Sequence, residues 1–360
     1  MIKLVNRGFG LEIERKYGDT TVAVEDFDLD WWNQADDVDF KLNDDLVTKS
    51  GSSRMNKRAR PGYLKPTGST KADADLQQLA WYFLGYLDNY KYTQGQGNVH
   101  IHEFWGGECK QLTSFRGLAV YDILKQYLYG IILDKLKLEV GSDGMTVGAD
   151  WIYKTEESRI IGEKYNGVVE TFEQPDELTN EQIFIMPYDI DLILNQKFLN
   201  GETENSFGVA TALTFDGNNN HDVDNTLGLG SREPQKRANA RLRENGLSIT
   251  TSLIEETVKS ILAARYGEVG AVKPTSCKIL KVPFEIVISH CENSDINCHI
   301  LFPQCTLRLE FSFSSADVVE VELSLDTLGS GTARLADNTE IETDMYIKLV
   351  NNQPELVATQ

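Results

Sequence analysis

Apolar positions in this chain recur mostly with period two, the spacing of strands that bury one face and wet the other. In "DKLKLEVGSDGMTVGADWIY", Leu136, Leu138 and Val140 alternate with charged residues, Ser142-Asp143-Gly144 turns, and Met145, Val147, Ala149 and Trp151 resume the pattern. That predicts a hairpin. Later, "KILKVPFEIVI", "TLRLEFSFS" (Leu307, Leu309, Phe311 and Phe313 inward), "DVVEVELSLDTL" (Val319, Val321, Leu323, Leu325) and "DMYIKLVNN" read the same way. Two segments switch to helical spacing. Leu76, Leu79, Ala80, Phe83 and Leu87 form one apolar stripe in "DADLQQLAWYFLGYLDNY". Ile254, Val258, Ile261 and Leu262 form another in "SLIEETVKSILAARYG", with a Ser252/Glu255 capping box and Gly267 to end the helix. Antiparallel sheet with one helix in each half is the expected class.

The order of these elements repeats. Each helix is preceded by a basic ribbon, then a glycine (Gly68, Gly246) and a short extended piece. The first ribbon, Ser50 to Lys71, holds Arg54, Lys57, Arg58, Arg60, Lys65 and Lys71 and no acid. The second, Ser231 to Arg243, holds Arg232, Lys236, Arg237, Arg241 and Arg243 with one acid. Ser-Arg and Lys-Arg-Ala occur in both. We therefore expect an internal repeat: a first β domain over 1–154, a linker or insertion over 155–182, and a second β domain over 183–360.

Charge sharpens this reading. The 360 residues carry 35 Lys plus Arg against 55 Asp plus Glu, a net charge of −20. Without the ribbons, which carry +6 and +4, the rest stands at −30. So acidic a bulk disfavours wrapping around nucleic acid. Five cysteines without CxxC spacing fit reduced thiols in a cytosol. The opening residues lack the h-region of a signal peptide, and no apolar run approaches the ~18 residues of a membrane span.

Motifs for chemistry are sparse. There is no phosphate loop, HExxH or GxSxG, so no enzyme activity and no cofactor are expected. His100 and His102 share a strand face but have no third ligand at a useful spacing, and the His/Cys gaps in "SHCENSDINCHILFPQC" are wide for zinc. "FDGNNNHDVDN" lacks the glycine and glutamate of a calcium loop. In "VEDFDLDW", Asp26, Asp28 and Asp30 fall on one strand face, continued by "ADDVDFKLNDD". This is either an ordinary solvated face or one kept negative for a purpose, and like charges side by side need water in both cases.

Taken in order, several segments resemble the major tail tube proteins of bacteriophages. "GFGLEIERKYGDTTVA" is similar to that family's opening, "SGSSRMNKRARPGYLKPTGS" to its long hairpin, and "DLQQLAWYFLGYL" to the helix that follows. "HEFWGGECKQLTSFRGLAV", "GIILDKLKLEVGSDGMTVGADWIYK", "HILFPQCTLRLEF" and "YIKLVNN" resemble its later strands. Arg116 stands where a polar Thr is usual, and Gly130-Ile131 lacks an expected Cys. The resemblance implies two tandem tail-tube-type β-sandwich or barrel domains whose hairpins join a barrel shared by a ring. Rings of three chains with pseudo-sixfold symmetry, or of six, would stack into a hollow virion tail, assembled in the host cytoplasm. It also implies tape measure, tail terminator and tail-tip proteins as partners, with DNA passing through without specific binding. On this reading Arg54, Lys57, Arg58, Arg60, Lys65, Arg232, Lys236, Arg237, Arg241 and Arg243 form ring-stacking loops, and Asp26, Asp28 and Asp30 line the lumen. A tail-tip, baseplate or connector protein built on the same domain is the alternative.

Overall fold

The computed structural model describes residues 7–33, 35, 37–49, 58–108, 111–172, 183–194, 205–206, 210–252, 262, 266, 273, 281–291, 293, 295–310, 320–327, 329 and 331–356. The first half contains β1 (Arg7–Ile13), β2 (Trp31–Asn33), β3 (Asp37–Lys41), β4 (Asp44–Lys49), β5 (Arg58–Leu64) and β6 (Thr67–Asp73). Helix α1 (Leu79–Tyr86) follows, then β7 (Asn89–Gln94), β8 (His100–Trp105), β9 (Phe115–Tyr121), β10 (Leu124–Gly141), β11 (Gly144–Ile152) and β12 (Thr155–Ile160). After the small hairpin β13 (Lys164–Tyr165) and β14 (Val168–Val169) come β15 (Ile190–Leu194), β16 (Asn205–Ser206), β17 (Ala210–Asn218) and β18 (Glu244–Ser252). The last strands are β19 (Val282–Ser289), β20 (Asn297–Glu310), β21 (Glu320–Thr327), β22 (Gly331–Arg334), β23 (Glu340–Thr343) and β24 (Tyr346–Asn351). The protein is mainly β, as the alternation implied.

Two long strands organise everything else. β10 pairs with β9 and β12 along its first part, and with β11 and β17 along its second. At the change of partners Gly130 takes φ +68, where a Cβ would meet the Tyr17 ring at 2.9 Å, so the backbone conformation and the close approach both favour glycine. Likewise β20 pairs with β19 and β24 and then with β21. The resulting antiparallel orders match strand for strand: β2–β1–β9–β10–β12 against β16–β15–β19–β20–β24, and β3–β6–β11–β10 against β17–β18–β21–β20. The β10–β17 pairing joins the two four-stranded sets into one eight-stranded sheet. A second join runs through β8, an addition to the first half, which pairs with β24 near the end of the chain.

The β10–β11 hairpin follows its alternation: Leu136 stands opposite Ala149, Leu138 opposite Val147 and Val140 opposite Met145. One face of the eight-stranded sheet is thereby apolar, and α1 seals it. The stripe anticipated on α1 is wider in the structure, because every residue from Leu79 to Tyr86 is buried. A helix apolar on all sides belongs between layers, and its rings touch several of them. Trp81 stacks on Trp31 at 6.3 Å between ring centres, Tyr82 lies 6.1 Å from Trp151, and Phe83 lies 5.9 Å from Phe104. Truncating any of these rings to Ala would cost about 3–5 kcal/mol. The helix is also shorter than its stripe, since Leu76 still lies in a turn and Leu87 is already extended. Asp75 organises the intervening turn, its carboxylate accepting the N–H groups of Gln77 (2.9 Å) and Ile183 (3.0 Å).

The expected linker begins as packed structure. β12 extends the sheet beside β10, and Phe172 lies 5.3 Å from Trp32. Lys125 and Arg159 both hold the buried Glu170 there. Residues 173–182 lie outside the described residues, as do Arg54, Lys57, Phe311, Phe313, Val319 and most of the predicted second helix. Within that helix segment Leu262 and Tyr266 are helical, whereas Ser252, expected as its cap, ends β18. Cys298 and Cys305 are buried free thiols whose pKa values burial pushes up.

Candidate functional site

The two basic ribbons occupy corresponding connections. The described part of the first runs along β5, which pairs with β4, and on into β6; the second is the irregular stretch between β17 and β18. They also meet. The N–H of Leu64 donates to the Arg232 carbonyl at 2.8 Å, and the Arg232 side chain reaches the Gly62 carbonyl (3.0 Å) and Asp44 (2.5 Å). Lys65 reaches across in the other direction to Asp224 at 2.8 Å. Sequence reasoning placed a ribbon in each repeat but had no signal for this convergence.

Their side chains divide into three kinds. Arg60 and Lys236 are exposed, and Arg58 opens strand β5. Arg241 is exposed while paired with Asp222 at 2.5 Å, and Arg237 is half-buried with its guanidinium 6.0 Å from the Tyr17 ring centre. Arg243 differs from all of these. Its guanidinium bridges Asp88 (2.7 Å) and Asp344 (3.1 Å), takes Asn219 at 3.2 Å, and lies over Tyr86. These charges hold its protonated form against the desolvation of burial, so its pKa is raised. Arg243 is therefore a fixed internal tie between the halves and leaves the set of stacking residues. A cleft of about 990 Å³ beside it is lined by Lys236, Arg237 and Arg241 together with Glu108, Asp222 and Asp344, cations and anions interleaved.

The acidic candidates need a larger correction. Asp26, Asp28 and Asp30 are not on a strand: Val24–Asp26 forms a 3-10 turn and residues 27–30 are irregular. Their N–H groups are used one by one, Asp26 to the Ala23 carbonyl and Asp30 to the Leu11 carbonyl at 3.0 Å each, and Asp28 to the Glu12 carboxylate at 3.3 Å. Phe27 anchors the segment edge-on against Tyr127 and Tyr129. All three residues remain exposed at the surface, while partial burial raises the Asp30 carboxyl above its ordinary range. Beneath them Glu12 pairs with Arg116 at 2.9 Å, yet burial raises its carboxyl to about 7.

A regular acidic strand face exists elsewhere, on the outward side of the eight-stranded sheet. Cross-strand pairs carry one row through Asp37, Lys71, Gly148, Lys137, Asp216 and Gly246. The adjacent row runs Asp39, Ser69, Asp150, Lys135, Asn218 and Glu244. Lys41, Lys71, Lys135 and Lys137 are each ion-paired to a carboxylate of the same face, namely Asp39, Glu139, Asp150 and Glu139. Asp37, Asp216 and Glu322 add negative charge beyond those pairs. The signal for this face was present in "ADDVDFKLNDD", whose Asp37 and Asp39 do alternate on a strand.

Among the described residues no group of three or more His, Cys, Asp or Glu side chains is placed to hold a metal ion. The two strand histidines each meet a tyrosine, His100 with Tyr92 at 2.6 Å and His102 with Tyr90 at 3.0 Å. No described helix is long and apolar enough to cross a membrane. No protein-family model matches the sequence, and no curated protein matches it.

Proposed function

We propose that this chain is a structural subunit of a phage tail tube: copies join into rings, and rings stack into a hollow conduit for the genome. One observation carries the reading. Two corresponding four-stranded sets are already joined edge to edge in one sheet, with an acidic outward face and a basic connection at the same place in each set. A surface that repeats along one direction can be extended by further copies. Three chains then supply six repeats, a ring with pseudo-sixfold symmetry. The basic connections meet the acidic surface of the next ring, where charge complementarity fixes register and orientation more than affinity.

The acidic sheet face suits the lumen better than Asp26, Asp28 and Asp30 do. Repulsion of DNA from such a wall is softened over a Debye length of ~8 Å at physiological salt, whereas unpaired Lys or Arg would release counterions and bind phosphate. The pairing of each described lysine on that face with a carboxylate serves this end. Tape measure, tail terminator and tail-tip proteins are the partners such a tube requires, and the virion tail is where it would reside. Negative-stain imaging of concentrated protein tests the reading. Hollow tubes of uniform width, with threefold rings by cryo-microscopy, are expected. Six chains per ring would refute the stoichiometry. Closed single rings or caps without tubes would point to a tail-tip or connector role.

A further inference from the structure

We infer that the outer edge of β3 receives strand β20 of a second copy of this chain, with Arg308 of one copy facing Asp39 of the next, and that Tyr121 holds this edge closed in the free protein. The inference rests on the ring-forming reading and names its seam.

Among the described residues, the eight-stranded sheet begins at β3, which pairs only with β6, and ends at the 306–310 part of β20, which pairs only with β21. β17 holds in the second set the place β3 holds in the first, and its corresponding edge is filled by β10. The register at that internal seam can be transferred. Each set's first strand leads to an asparagine with left-handed backbone, Asn43 (φ 47) and Asn220 (φ 50). Counting back from these makes Asp39 the counterpart of Asp216. The cross-strand pairs then carry the equivalence through Ser69 and Gly246 to Asp150 and Asp326, and on to Lys135 and Thr306. Lys137 is thus the counterpart of Arg308. Lys137 stands opposite Asp216 at the internal seam, so Arg308 stands opposite Asp39 of the neighbouring copy. Sheet sidedness agrees: positions 307 and 309 face the buried Leu325 and Leu323 across β21, and would meet Phe40 and Val38, which are buried. Opposite charges at a directly facing pair favour this register over a slipped one.

An edge strand with unpaired N–H groups is a hazard to a free chain. Here the N–H of Phe40, directed away from β6, donates to the Tyr121 phenol at 3.0 Å. Tyr121 ends β9, a different strand order, so the phenol occupies the position a partner's carbonyl would take without adding a strand. Lateral pairing exchanges that one contact for a ladder.

The test measures ring formation against concentration by mass photometry for the full chain. Asp39→Arg and Arg308→Asp should each raise the concentration needed at least tenfold, and the double reversal should restore it. Tyr121→Phe should lower it about fivefold, the worth of one net hydrogen bond. In a chain carrying Asp39→Cys and Arg308→Cys that still forms rings, a short bismaleimide should join position 39 of one copy to position 308 of the next. Rings that form unchanged in both single reversals, or that yield no 39–308 product, overturn the seam while leaving the tube reading intact. A threshold unmoved or raised by Tyr121→Phe overturns the latch. Wild-type chains that never associate would overturn the tube reading and the seam together.

Discussion

Removing the guanidinium of Arg243 should cost far more stability than removing that of Arg232, although both lie in one basic ribbon. The Arg243 side chain is 10% exposed and its partner Asp88 is 0% exposed, with Asp344 at 24%. Asn245 also donates to Asp344 at 3.1 Å and accepts from the Tyr86 hydroxyl at 2.5 Å, so the network ties α1 to β18 and to the turn before β24. Arg243→Ala leaves Asp88 buried without its countercharge, a change that costs about 3–5 kcal/mol. Arg232 and Asp44 are 47% and 53% exposed, and a pair so wet contributes about 0–1 kcal/mol. Against a total stability of order 5–15 kcal/mol, the first loss is large and the second is near the limit of detection. Arg243→Lys should fall between, keeping the charge but losing the fork that spans two carboxylates. Urea unfolding followed by tryptophan fluorescence gives the three values on one scale. A loss below about 1 kcal/mol for Arg243→Ala, or equal losses at the two arginines, would refute the assignment of Arg243 as an internal tie.

A second expectation concerns acid. His102 is fully buried beside the Tyr90 and Phe104 rings, donates to the Gln353 carbonyl at 2.9 Å, and has its pKa lowered to about 4 by burial. The unfolded chain then binds more protons between pH 6.5 and 4, so stability should fall as pH drops through that window, by about 3 kcal/mol in all; His102→Phe should flatten this part of the profile in urea titrations. Charge reversal at the exposed Arg60 and Lys236 should leave the far-ultraviolet spectrum unchanged and abolish ring stacking, and normal tubes would count against the stacking role. Lysine at Asp37, Asp150 and Asp216 should permit tubes but make genome delivery slow and salt-dependent; the same change at Asp26, Asp28 and Asp30 should not, and the opposite result would return the lumen to those three.

Which of these features could be read from the sequence depends on how local their cause is. The β10–β11 hairpin was legible because one of its faces is wet and the other dry, so every second residue reports its side. In Asp26–Asp30 the same alternation misleads. Phe27 and Leu29 are anchored by an aromatic layer formed by residues about a hundred positions away, and the backbone N–H groups find separate acceptors rather than a ladder. The stripe on α1 located the helix but not its second buried side, which depends on sheets assembled from both halves. Arg243 reads as one more cation in a basic run until Asp88 and Asp344 are brought to it. Charge in a sequence marks where ions are, and only the fold decides which of them are already answered.

The pairing of β8 with β24 sets a condition on how the protein is made. His100 to Trp105 stand opposite Asn351 to Tyr346, so the outer edge of β8 stays uncovered until β24, far along the chain, has left the ribosome. Until then β7 and β8 offer an open ladder beside His102 and Phe104, both of which belong to the interior. A nascent chain stalled in its second half would carry that sticky edge into the company of its neighbours on the same message. Synthesis of β24 is thus the event that covers this edge, and a chain lacking Tyr346–Asn351 should aggregate.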